Sequence, residues 1–299
     1  MDNQLHDLLL AHDGILRRRD LIAHVSHHKL ATALRNGDLT RVLPGVYVQS
    51  VTDRRLAEAA AQYAAPDGAL SHTTALWLWG LLKEPPQPLH LTVAAARQPR
   101  GSTLVRAHRR SEPPVVRLRR GLPVVRLEQA LLESAPLLPR DHGREVLITA
   151  VRERQSTGDL LAAELARMPK LSGRRSLRRL IELLAVGCQS ELELFGYERV
   201  FSHHSMPTLA SQYPIQLRSG TIYLDLADPE TRIGIELDGA EFHDGPLARE
   251  RDRRRDVELA TLGWVILRFS ARRLHEDPAG VRRELLAVLR ARRLQLRAS

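Results

Sequence analysis

One stretch, Ile233-Gly-Ile-Glu-Leu-Asp-Gly-Ala-Glu-Phe-His243, limits what this chain can be more than any other. Ile233, Ile235 and Leu237 alternate with Gly234, Glu236 and Asp238, which is the period of a half-buried strand, and Gly239 stops it. Tyr223 to Ala227 reads as a second short strand with Asp225 at its middle, and Asp228-Pro229 through Arg232 supplies the turn between them. An antiparallel hairpin of these two strands brings Asp225 close to Glu236 and Asp238. Three carboxylates on one small surface repel one another unless a hard divalent cation sits among them, so the stretch predicts a Mg²⁺ or Mn²⁺ site. The competing reading is a surface hairpin whose acidic side faces water. Two neighbours favour the metal. The helical pattern Ser190 to Phe195 offers Glu191 or Glu193 to the hairpin, and His243 returns to the same end.

Asp225 on one strand, Glu236-x-Asp-Gly on the next and Phe242-His243 are followed by Asp252-x-x-Arg255 and Leu262-Gly-Trp-Val-Ile-Leu-Arg268. In that order these motifs resemble the Vsr-like branch of the PD-(D/E)XK endonucleases, over about residues 188 to 295. The resemblance implies an α/β/α restriction-endonuclease-like fold and metal-dependent phosphodiester hydrolysis. It implies Asp225 and Glu236 as direct metal ligands, Glu191 as a ligand through water, and the carbonyl of Leu237 as a backbone ligand. His243 becomes the proton-transfer group, since an imidazole titrates near neutrality, and Arg255 a brace for the phosphate. One position departs from the pattern: where the superfamily carries Lys, this chain has Asp238, which is expected to serve as a further ligand or a support.

The front of the chain reads differently. Residues 2 to 50 give three short helices and then two strands joined by Pro44-Gly45, the layout of a winged helix-turn-helix. Ser26 is placed to cap the third helix and Gly37 to stop it. In that layout His27, His28, Lys29, Thr32 and Arg35 face double-stranded DNA from the third helix, while Leu30, Ala33 and Leu34 pack inward. Arg41 lies on the wing near phosphates. The competing reading is a small helical domain with a solvated polar face. Arg19-Asp-Leu21, Gly37 to Val48, Leu70-Ser-His-Thr-Thr-Ala-Leu76 and Gly121 to Glu133 resemble AbiEi-type antitoxins, winged-helix repressors of type IV toxin–antitoxin systems. That resemblance leaves a cognate toxin or a second copy of the chain open as partners.

Between these ends, residues 51 to 170 read as a mixed α/β region, with strands near 89–93, 104–107, 115–118 and 124–125 among helices. His72, beside Ser71 and Thr73, reads as a capping or core histidine. The expected architecture is therefore α/β and multidomain: 1–50 winged helix, 51–170 mixed α/β, 171–299 nuclease-like, with Leu171-Ser-Gly-Arg174 as the last boundary. A single Cys188 excludes an intrachain disulfide and any Cys-based zinc site. No apolar run approaches the ~20 residues of a spanning helix, and the start, Met-Asp-Asn-Gln, lacks the basic region of a signal peptide. Cytoplasmic location is expected. The formal charge of +10, carried almost wholly by Arg, suits a polyanionic partner, although a GC-rich genome produces the same Arg bias. Two functions follow: a DNA endonuclease with a DNA-reading front end, or a non-enzymatic, antitoxin-like regulator whose nuclease fold only grips DNA.

Overall fold

The computed structural model describes residues 3–99, 102–238 and 246–298, with side chains in the last stretch described from residue 250. His243 lies outside the described residues. The chain divides into two compact units, one of residues 1–147 and 164–174, the other of residues 148–163 and 175–299.

The first unit opens with α1 (Asn3–Ala11), β1 (Ile15–Arg17), α2 (Arg18–His24), α3 (His27–Asn36), β2 (Thr40–Leu43) and β3 (Val46–Val48). The three strands form an antiparallel sheet in the order β1-β3-β2. Its core gathers Leu5, Leu9, Leu16, Leu21, Leu30, Leu39 and Tyr47. Local signals set the ends of α3. The Ser26 side chain accepts from the Lys29 N–H at 3.3 Å, and Gly37 adopts a left-handed φ of 77° that ends the helix.

Next comes α4 (Asp53–Ala64), whose buried face is Ala57, Ala59, Ala60, Ala61 and Ala64. Side chains this small let its backbone pack against strands of the small sheet and also of a second, five-stranded sheet. That sheet is built from β4 (Ala69–Leu70), β5 (Leu89–Ala94), β6 (Val105–Arg110), β7 (Val116–Arg119) and β8 (Leu122–Val125), in the order β6-β5-β4-β8-β7. It carries α5 (His72–Trp79) and α6 (Leu127–Ser134). Residue 50 lies between β3 and α4, within the first unit. The chain then runs through α7 (Arg140–Arg152) and α8 (Gly158–Ala166).

The second unit begins its main run at α9 (Arg174–Ala185), which buries Leu177, Leu180, Ile181, Leu183 and Leu184 and leaves Arg175, Arg178 and Arg179 exposed. After α10 (Glu191–Gly196), extended by one π-helical turn, come β9 (Ala210–Leu217), β10 (Gly220–Asp228) and β11 (Ile233–Asp238). The unit closes with α11 (Pro246–Thr261), β12 (Val265–Ser270), α12 (Ala271–Glu276) and α13 (Pro278–Ala298). The sheet order is β12-β11-β10-β9. β10 and β11 pair antiparallel as the expected hairpin, while β12 returns parallel to β11 after the helical crossover of α11. Residues of both faces are buried. Leu226, Ile233, Ile235 and Phe269 pack with Val200, Phe201, Leu274 and Leu285 on one side. On the other, Leu224, Ala227, Ile215 and Leu217 pack with Leu259 and Trp264. Gly234 is a strand glycine for a packing reason: a Cβ there would lie 2.6 Å from both Leu224 and Ile266.

Candidate functional site

Strand β10 changes face at Asp225. Leu224 and Ala227 belong to one core and Leu226 to the other, so the simple alternation slips there. Opposite, Gln212 sits at φ 47° and makes no register pair with Asp225, although the residues on either side of it do pair. The ladder between β10 and β11 also ends at Leu226↔Ile235. The Asp225 carboxylate fills the gap, accepting the Leu237 N–H at 2.8 Å. A side chain thus replaces the backbone acceptor that β10 withdraws.

Asp225 lines a small cavity of ≈ 10 Å³ together with Cys188, Glu193, Tyr197, Ser211 and Leu237, enough for about one water or ion. Glu193 is fixed from three sides: Ser190 caps its N–H at 3.1 Å, the Gln189 N–H donates to Oε2 at 2.9 Å, and Gln212 Nε2 donates to the same oxygen at 3.2 Å. Gly187 permits this closeness, because a Cβ there would stand 2.8 Å from Ser211. Burial pushes the Asp225 carboxyl up to about 6, and the nearby charges of Glu193, Glu236 and Asp238 push the same way against the Leu237 hydrogen bond. Burial likewise raises Glu193. The Cys188 thiol, buried beside these acids, is pushed up to about 12 and stays protonated.

Glu236 faces another set of partners. Arg255 Nη2 donates to both of its oxygens at 3.0 Å, and Arg268, its register neighbour on β12, donates from Nε at 3.0 Å. Arg268 also holds Asp256, at 3.2 Å through Nη1 and 2.5 Å through Nη2, and these carboxylates raise its pKa further. Arg255 Nε is buried without a hydrogen-bond partner among the described residues. Of the residues picked out from sequence, then, Asp225 lines the cavity and Glu236 sits in an arginine network, while Asp238 is exposed at the strand end. Glu191 is exposed on the first turn of α10; Glu193, two residues on, is the acid that reaches Asp225. Successive alternate residues on a helix point about 200° apart, so the two glutamates could not share the role. These carboxylates do not close on one point. Among the described residues, the one set of three His, Cys, Asp or Glu ligand atoms all within 4.8 Å of one another lies elsewhere, at His72, His90 and His108.

In the first unit, His27, His28, Lys29 and Arg35 are exposed on α3, while Leu30 and Ala33 are buried beneath them. Thr32 is half-buried, donating to the His28 carbonyl at 3.0 Å and accepting from Arg35 at 3.2 Å. Arg41 is exposed on β2. No helix among the described residues is long and apolar enough to cross a membrane.

Residues 209–289, from β9 through β12 into α13, match the family model REase_MTES_1575, which places a restriction-endonuclease-like domain at the C-terminal end of the chain. Two relatives from Mycobacterium tuberculosis extend the likeness along the chain: uncharacterized protein MT2308 (strain CDC 1551 / Oshkosh) and uncharacterized protein Rv2248 (strain ATCC 25618 / H37Rv). Each is 26% identical over 257 residues, which span 85% of this chain and 93% of the relative. Among solved structures, the RV2827C protein of Mycobacterium tuberculosis matches at a TM-score of 0.45 and 15% identity, over 61% of this chain and 75% of that one.

Proposed function

We propose that this protein is a metal-dependent nuclease acting on double-stranded DNA, with chemistry in the second unit and DNA contact through α3 of the first. The observation that carries the reading is Asp225: a half-buried carboxylate at a break in β10, its pKa raised first by desolvation and then by neighbouring acids, within the stretch that matches a restriction-endonuclease-like family. Two carboxylates, both raised by desolvation, that line one cavity the size of an ion fit a hard divalent cation such as Mg²⁺ or Mn²⁺. Asp225 and Glu193 would hold it, with the Leu237 carbonyl close by, and Glu236 would join by exchanging its arginine partners. When bound, such a cation supplies a charge sink and an activated water for phosphodiester hydrolysis. The chain's own residues do the rest. Arg255, which now holds Glu236, would turn its guanidinium to a phosphate oxygen. His243 is assigned the proton transfer to the leaving oxygen. Helix α3 supports the DNA reading through the layout of residues 3–48, three helices and a small sheet, and through exposed His27, His28, Lys29 and Arg35 over a buried apolar face. Placement in the Vsr-like branch, and kinship of the front half with AbiEi-type antitoxins, belong to the same proposal.

One observation favours the second reading, a regulator that binds DNA without cutting it: Glu236 is neutralised by two arginines rather than shared with Asp225. Supercoiled plasmid separates the two. Full-length protein with Mg²⁺ or Mn²⁺ is expected to nick it, chelator to stop the reaction, and Asp225→Asn or Glu236→Gln to abolish it while metal-free DNA affinity stays equal or rises slightly. Wild-type protein that nicks nothing with any divalent metal, together with unchanged DNA binding by Glu236→Gln, would establish the regulator.

A further inference from the structure

A second cluster lies in the first unit, apart from the acids of the nuclease-like unit. Three histidines from three elements meet there: His72 at the start of α5, His90 on β5 and His108 on β6. One ring nitrogen of each lies within 4.8 Å of those of the other two. His90 Nδ1 is 2.9 Å from His108 Nε2, and the His72 ring stacks on His108 with centroids 3.6 Å apart. His72 Nδ1 faces Ser71 Oγ at 2.9 Å and Glu133 Oε2 at 3.5 Å. Glu133 is held through its other oxygen, by Arg110 at 2.6 Å and Gln129 at 3.2 Å, so Oε2 is buried without a hydrogen bond. Thr92, in register with His108, has a buried hydroxyl that also lacks a partner. His72 itself holds a φ of 50°, a costly left-handed conformation for a non-glycine residue.

We propose that His72, His90 and His108, supported by Glu133, bind a divalent first-row transition ion, with Zn²⁺ as its natural occupant. Imidazole nitrogens suit Zn²⁺, and three histidines leave the fourth tetrahedral position to a water or an outside ligand. Mg²⁺ and Ca²⁺ are excluded by the donor set, which offers nitrogen rather than oxygen. His72 Nδ1 is taken up by Ser71 Oγ at 2.9 Å, with Glu133 Oε2 behind it at 3.5 Å, which leaves Nε2 of His72 to the ion and a carboxylate beside the ligand. Arg106, which is exposed, opposes a cation at this site, whereas Arg110 is already neutralised by Glu133. Converging three lone pairs on one ion takes rotation of the stacked rings about χ2, which changes their contacts and not the strands.

The test is Zn²⁺ titration of chelator-treated full-length protein, with metal content measured by mass spectrometry and Co²⁺ substitution read by visible absorption. Wild type should take up about one equivalent and give the intense absorption of four-coordinate Co²⁺. His108→Gln and His90→Gln, with circular dichroism confirming that each is folded, should lose at least ~100-fold in affinity and that absorption. Glu133→Gln should lose about 10–100-fold and keep the spectrum. Asp225→Asn should change neither, which separates this site from the acid cavity. Zn²⁺ affinity that is no greater in wild type than in folded His90→Gln, or a stoichiometric site that disappears only with Asp225→Asn, would overturn the proposal.

Discussion

At the scale of single residues, the titration of Asp225 gives a direct prediction. A carboxyl whose pKa rises on folding, here from 3.8 to about 6, binds its proton more tightly in the folded chain. Stability without divalent cation therefore falls as pH climbs from about 4 to about 6 and is level above that. Asp225→Asn removes that loss and can still accept the Leu237 N–H. The variant is expected to be more stable than wild type at pH 7.5, on the order of 1–2 kcal/mol, with the gap closing by pH 4. Thermal melts at the two pH values check it. Adding Mg²⁺ should raise the melting temperature of wild type and leave the variant unmoved, since only the intact acid pair gains by binding a cation. The sequence made Asp225 legible because a lone acid in an apolar strand is conspicuous. It did not separate Glu193 from Glu191, because the choice depends on how α10 is rotated, and Gln189, Ser190 and Gln212 fix that rotation only in the folded chain. The arginine pairing of Glu236 was equally hidden: its partners lie 19 and 32 residues further along the chain.

At the scale of elements, local signals sufficed where the chain caps itself. Ser26 and Gly37 mark the ends of α3, and the buried Leu30 and Ala33 set which side its basic residues present. Replacing Lys29 and Arg35 together with Ala is expected to weaken duplex binding and to flatten its salt dependence, reducing the log–log slope by about 2 if each contacts one phosphate. Titrations at several salt concentrations would show it; an unchanged slope would remove α3 from the interface. The helix and strand pattern of the middle region was similarly readable, but the meeting of His72, His90 and His108 was not. Each looks like an ordinary core or capping residue in its own segment. They converge only because β5 and β6 run parallel and β4 delivers the start of α5 beside them. Non-local pairing of that kind leaves no periodic trace in a sequence.

At the scale of the whole molecule, the second unit takes residues 148–163 as well as 175–299, a discontinuity that no local feature at Leu171-Ser-Gly-Arg174 signals. Residues 148–163 belong to that unit: Gly158 lies against the backbone of Ala185, and Arg154 stacks over Tyr223 at 5.5 Å. A fragment from Ile148 to the C-terminus is therefore expected to fold and keep its cation response, whereas one starting at Arg175 should be markedly less stable, as denaturant titration of the two would reveal. The interleaving also affects synthesis. Residues 164–174 return to the first unit, where Glu164 pairs with Arg126 and Arg174 donates to the carbonyl of Met168. The ribosome thus completes the first unit while 148–163 still has no partner. At 5–20 residues per second, the remaining ~125 residues take on the order of 6–25 s to appear. Over that interval the segment with Leu161, fully buried in the finished protein, gains the rest of its unit only in stages. The segment 148–163 is thus made well before the unit it completes.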